Sequence, residues 1–89
     1  MNRRILKLMD RLRAEMNKPE AYAYLPEIIE SLEDIGNNLD LPEKDRRGKN
    51  GALGYIVLDN YAFAESSLGQ EICDVLTDYV EGKLTDDVA

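Results

Sequence analysis

The sequence has no histidine in its 89 residues. That removes the commonest general base at neutral pH and the commonest metal ligand. It excludes Ser-His and Cys-His nucleophile pairs, and it excludes the Glu-x-x-His spacing of di-iron helical bundles. Cys73 is the one cysteine, so no internal disulfide can form, a usage that suits a reducing cytoplasm. No stretch approaches the ~20 consecutive apolar residues of a membrane-spanning helix. In residues 1–10 a lysine and an aspartate interrupt the apolar positions, which leaves no continuous hydrophobic region for a secretory signal. No loop carries the spaced Asp/Asn ligands, glycine and closing glutamate of a calcium site. Gly48, Gly51 and Gly54 fit neither Gly-x-Gly-x-x-Gly nor the Walker pattern, and nothing strand-like precedes them. Internal repeats and low-complexity tracts are also missing. The expectation is a cytoplasmic protein that is not an enzyme, with no catalytic residues, no cofactor and no metal.

An apolar fraction of 44% and a charged fraction of 33% describe a globular chain rather than a disordered one. The length suits one domain that buries roughly 60–65% of its unfolded surface, a modest core with little margin. The net charge is −7, which disfavours nucleic acid and anionic membranes and is compatible with a basic protein partner. Charge is segregated. Residues 1–18 hold six bases and two acids, and residues 19–43 hold seven acids and no base. Residues 44–50 hold four bases and one acid, and residues 51–89 hold eight acids and one lysine. Such blocks arise when basic and acidic helices lie side by side. Alternatively, Arg3, Arg4, Lys7 and Arg11 of the first helix join Arg46, Arg47 and Lys49 in a basic face for an anionic partner.

Hydrophobic periodicity divides the chain into four helical stretches. Residues 2–17 place Ile5, Leu8, Met9, Leu12 and Met16 on one stripe, and Pro19 closes the stretch. The second helix, at about 26–37, carries Leu25, Ile28, Ile29, Leu32, Ile35 and Leu39, with Pro26 in its first turn. Gly36, Asn37 and Asn38 supply residues that tolerate a left-handed helix end. Residues 44–50 offer nothing to bury, so they form either the solvated start of a long third helix or a mobile basic loop. Residues 51–64 are the longest nearly uncharged run; Leu53, Ile56, Val57, Asn60, Tyr61 and Ala64 recur at helical spacing. Tyr55, Leu58 and Ala62 occupy the other side, so this run is expected to be an innermost rod covered on most sides. Tyr55-Ile-Val also favours a strand. A strand is disfavoured because no second run is present to pair with it. Ser67 and Gln70 have capping-box spacing, the last helix carries Leu68, Ile72, Val75, Leu76, Tyr79 and Val80, and Gly82 stops it.

The fold class that follows is all-α, a small antiparallel helical bundle of about four helices with the third helix central. Residues 1–82 form the single domain, and residues 83–89 are expected to fray as an acidic tail. Glu30, Glu33 and Asp34 read as a solvated helix flank, and Cys73 as a small core residue. The tyrosines suit the rim of a core or a contact patch equally, since each joins an apolar ring to a polar tip. A non-enzymatic protein-interaction module is therefore expected: an adaptor, an inhibitor or a self-associating subunit. Its partner would be another protein or a second copy of this chain. The candidate contact residues are Tyr22, Tyr24 and Tyr55, together with Gly51 and Gly54, which leave one side of the third helix flat. The alternative is polyanion or nucleic-acid binding through the seven basic residues named above.

Overall fold

Residues 1–86 are described here from a computed structural model. They contain five helices: α1 (Arg3–Glu15), α2 (Leu25–Gly36), α3 (Glu43–Leu58), α4 (Tyr61–Glu65) and α5 (Ser67–Val80). The all-α expectation holds, with no strand among the described residues.

The packing order is a ring. α1 packs on α2, α2 on α3, α3 on α5, and α5 back on α1, while the diagonal pairs α1/α3 and α2/α5 stay apart. The short α4 sits against α3 and α5. Pairings along the seams give the directions. Arg4 meets Asp78 and Arg11 meets Glu71, so α1 and α5 run oppositely. Arg46 meets Tyr79 and Val80 at one end of α3, while Leu58 shares a hollow with Cys73 at the other. Lys49 meets Asp34, and the Tyr22 hydroxyl meets Ile56, so α2 and α3 are antiparallel too. The four long helices therefore run up, down, up, down around a shared core.

Each helix turns its periodic stripe inward. Ile5, Leu8, Met9 and Leu12 of α1 are buried, as are Leu25, Ile28, Leu32 and Ile35 of α2. Ile72, Val75, Leu76 and Tyr79 of α5 complete most of the core. Fully burying one such aliphatic side chain stabilises the fold by about 1.5–3 kcal/mol, so these stripes supply the main driving force. Met16, expected on the α1 stripe, lies past the helix end and is exposed.

The helix ends show which local signals operate. Asn2 caps α1: its Oδ1 accepts from the Arg4 amide at 2.9 Å and the Ile5 amide at 3.2 Å. The α2 terminus departs from the expected left-handed stop. Asn37 has φ −87°, and Asn38 instead donates its side-chain amide to the Asp34 carbonyl at 2.7 Å. Ser66, one residue earlier than expected, caps α5 by accepting from the Gly69 amide at 3.1 Å. Gln70 does not close a capping box; its side chain donates to the Glu65 carbonyl at 3.2 Å. Gly82 does end α5, with φ +74°. The Gly82 amide donates to Tyr79 and the Lys83 amide to Asp78, the paired bonds of a left-handed helix stop.

Two expectations change. Residues 83–86 are held rather than frayed: Leu84 is buried, the Asn2 side chain donates to the Thr85 carbonyl at 2.7 Å, and Asp86 pairs with the Met1 ammonium at 2.9 Å. Residues 87–89 of the expected tail lie outside the described residues. The apolar run 51–64 is not one buried rod either. It breaks at Asp59 and Asn60, where the Asn60 side chain accepts from the Phe63 amide at 3.0 Å and starts α4. Of its α3 portion only Leu53 and Val57 are buried. α3 touches α2, α4 and α5, and α5 likewise touches α1, α3 and α4, so no one helix is the centre of the ring.

Candidate functional site: an exposed apolar face on α3

Residues 44–50 are helical, which resolves the two readings of that segment in favour of a long third helix. Its charged turns are drawn into the fold. The Arg46 guanidinium donates to three backbone carbonyls: Tyr79 at 3.0 Å, Val80 at 3.1 Å and Leu41 at 2.6 Å. Two of those oxygens belong to the last turn of α5, where carbonyls have no partner within their own helix. Lys49 is paired with Asp34 on α2, and that bond holds its ammonium above the ordinary lysine range. Arg47 pairs with Glu43 one turn back at 2.9 Å on the surface.

The other expected anion contacts are similarly dispersed. Arg4 bonds Asp78 at 2.5 Å, and Arg11 bonds Glu71, both along the α1–α5 seam. Arg3 and Lys7 are exposed on α1. The seven bases thus lie on three different seams and on outer faces; the fold does not gather them into one basic face. The segregated charge blocks instead meet as complementary neighbours, α1 against α5 and α3 against α2.

The three tyrosines expected at a contact are brought together. Tyr22, between α1 and α2, donates its hydroxyl to the Ile56 carbonyl at 2.9 Å. Its ring stands edge-on to Tyr24 at 5.6 Å and tilted against Phe63 at 5.1 Å. Burial raises the Tyr22 phenol above its ordinary range, with Asp59 and Tyr24 adding to the shift. Tyr22, Tyr24, Tyr55, Ile56 and Asp59 line a shallow cleft. Tyr22 is its anchored wall, whereas Tyr24 and Tyr55 stand out into solvent.

Gly51 and Gly54 belong to a second hollow, between α3 and α5. Tyr55 and Leu58 form part of its α3 side, and Cys73, Leu76 and Thr77 face them from α5. A methyl group added at Gly48, Gly51 or Gly54 would meet no atom within 4 Å. No neighbouring backbone within the chain exploits the missing side chains. Tyr55 lines both hollows and is the ridge between them. It is 77% exposed, Leu58 66% and Tyr61 78%, the three most exposed large apolar side chains among the described residues. Sequence periodicity had placed Tyr61 on the inner stripe; the turn at Asn60 rotates it outward.

Cys73 is half-buried at the floor of this hollow, and burial with the nearby Asp74 raises its thiol above the ordinary range, as befits an unreactive group. No group of three or more potential metal-ligating side chains occurs among the described residues. No helix there is long and apolar enough to cross a membrane. Leu58 and Tyr61 were legible as apolar but not as exposed, because their exposure depends on the turn at residues 59–60. The fold defines a small ring of antiparallel helices with one apolar face left open. Comparison with protein-family models, with curated proteins and with solved structures finds no match.

Proposed function

We propose that this chain is a non-enzymatic interaction module that binds another protein through the face centred on Tyr55. The observation that carries the reading is the largely exposed Tyr55, which shares one hollow with Tyr24 and the other with the largely exposed Leu58. Elsewhere the core is closed: sixteen apolar residues are buried, and no buried side-chain nitrogen or oxygen lacks a partner among the described residues. An exposed cluster of large apolar side chains on a small globule marks a contact surface when the rest of the surface is polar. Tyrosines serve such a surface well, since their rings bury area while their hydroxyls find partners. Gly51 and Gly54 fit the same role by keeping the adjoining surface low.

The test compares the wild-type chain with a Tyr55→Ser/Leu58→Ser variant in sedimentation and in affinity capture from the native cell. A partner, or a second copy, held by the wild type and released by the variant is the expected result. A strict monomer that retains nothing ends this reading.

A further inference from the structure

The tyrosine cleft joins three aromatic rings and a carboxylate in one lining: Tyr22, Tyr24 and Tyr55, with Ile56 and Asp59. Tyr22 is pinned by the bond from its hydroxyl to the Ile56 carbonyl, and the Tyr24 ring stands at 72° to it, so two ring planes form a corner. Tyr55 closes the cleft from α3. Asp59 is exposed, shares the lining with no basic residue and takes part in no ion pair among the described residues. The cleft also lies at the C-terminal end of α3, a helix of 16 residues with no base in its last turn. Aligned peptide dipoles give such an end about half an elementary negative charge. Aromatic rings, a carboxylate and a helix C-terminus each favour a cation, and the last two repel an anion.

The lining also selects the kind of cation. A metal ion needs several oxygen ligands, and one carboxylate does not supply them. A primary ammonium is a strongly hydrated charge with three donors to satisfy. A quaternary ammonium has no N–H, so it needs no acceptors, and it gains from contact with aromatic rings. The cleft's volume of about 230 Å³ falls below the roughly 300–1,000 Å³ of pockets for drug-sized ligands, so it suits one head group whose remaining atoms stay in solvent. We propose that the tyrosine cleft binds a quaternary ammonium group, with Tyr22, Tyr24 and Tyr55 against its methyl groups and Asp59 balancing its charge. Such a group comes on a small compound of the choline type or on a trimethylated lysine side chain. The site goes beyond the interaction reading above and does not require it.

The experiment uses the full chain, labelled with 15N, and titrates it with choline chloride to roughly 100 mM, well past the millimolar affinity of a shallow cation site. Sodium chloride at equal ionic strength is the control. The expected result is a saturable shift of the amides of residues 22–24 and 55–59. Dimethylbutanol, the uncharged isostere with carbon in place of nitrogen, should bind about fivefold more weakly. Tyr24→Leu should weaken choline by a similar factor, while Tyr24→Phe should stay within about twofold of wild type, since the ring and not the hydroxyl meets the cation. Asp59→Asn should weaken it about threefold. Circular dichroism checks that each variant is folded. A trimethyl-lysine peptide titrated in parallel separates the two sources. Tighter binding than choline assigns a protein side chain, binding no tighter assigns a free compound, and either supports the site. The proposal is overturned if dimethylbutanol binds as tightly as choline, or if folded Tyr24→Leu binds as well as wild type. It is also overturned if the shifts fall elsewhere or match those of sodium chloride. Saturation by choline in a chain that captures no partner would end the interaction reading and leave this site standing. A Tyr55-dependent partner on a chain with no choline response would do the reverse.

Discussion

The two halves of α3 invert the usual relation between polarity and burial. The N-terminal half, residues 43–50, is the most charged stretch of the helix, yet Arg46 and Lys49 tie it to α5 and α2. The C-terminal half, residues 51–58, is nearly uncharged, yet Tyr55 and Leu58 lie in solvent. Charge can be drawn inward because a guanidinium has five donors and satisfies several carbonyls that a helix end leaves open. Apolar side chains are left out because a ring of four helices gives each member only one inward stripe. On the C-terminal half of α3, Leu53 and Val57 occupy that stripe.

The largest expected effect concerns the corner that supports the exposed half. A Cβ at Gly69 would lie 2.1 Å from the Phe63 carbonyl oxygen and 2.9 Å from the Ala64 backbone, so α4 and α5 must separate to admit it. Gly69→Ala is expected to cost about 3 kcal/mol, the upper end for overpacking, in urea-denaturation midpoints. Gly54→Ala offers the contrast, since it meets open space.

Arg46→Ala should cost about 2 kcal/mol, because it takes the guanidinium from the Leu41 and Val80 carbonyls and leaves the Tyr79 carbonyl only the Gly82 amide. Arg46→Lys should recover only part of this, since an ammonium lacks the planar fork. An equal loss in Arg47→Ala would break the contrast between a clamping and a solvated arginine.

Tyr79→Phe removes the hydroxyl that donates to the Asn38 carbonyl at 2.8 Å and should cost about 1 kcal/mol. The same variant tests alkaline stability. Burial raises the folded-state pKa of Tyr79 and Tyr22 above the ordinary value of 10.0, and the bond to Asp34 raises Lys49 above 10.5. Such groups stabilise the fold fully below their unfolded pKa. That contribution is lost as pH rises, because the unfolded chain releases its protons first. Thermal melts should therefore be flat on this account up to about pH 9.5 and fall above pH 10, and Tyr79→Phe should fall less steeply.

Gly51→Ala and Gly54→Ala should each raise stability by about 0.5–1 kcal/mol, by removing glycine's backbone entropy from a helix interior. They should also reduce binding by anything that approaches α3 closely. The smallest effect belongs to Tyr55→Ser, within about 0.5 kcal/mol of wild type in the same denaturation measurement. A large loss there would show that Tyr55 serves the fold, and would remove the ridge from the contact surface.

Much of this layout was legible from residue spacing. The stripes of α1, α2 and α5 identified the buried residues because each is a single amphipathic helix with one apolar side. Gly82 marked its helix end correctly, since only a positive φ permits that stop. Tyr22, Tyr24 and Tyr55, which their amphipathic character offers as one contact group, line one cleft. The run 51–64 misled because it is apolar all round, so periodicity could not say which side faced inward. Asn60, a helix start within it, falls at a position of the helical stripe, so its capping role was masked by the spacing. The basic face dissolved because charge blocks along a chain do not record which neighbour each side chain meets. Asn2 and Gly69 carried no periodic signal at all.

The amino-acid order determined that this chain is helical, where three of its long helices turn inward, and that histidine-dependent chemistry is unavailable to it. Those properties follow from period, capping and composition, which act within a few residues. Only the tertiary structure decided that Arg46 serves the end of α5, that residues 83–86 rest against Asn2, and that Tyr55, Leu58 and Tyr61 face outward. Each of these depends on which segments lie alongside one another, and the ring of four helices leaves room inside for only one stripe from each.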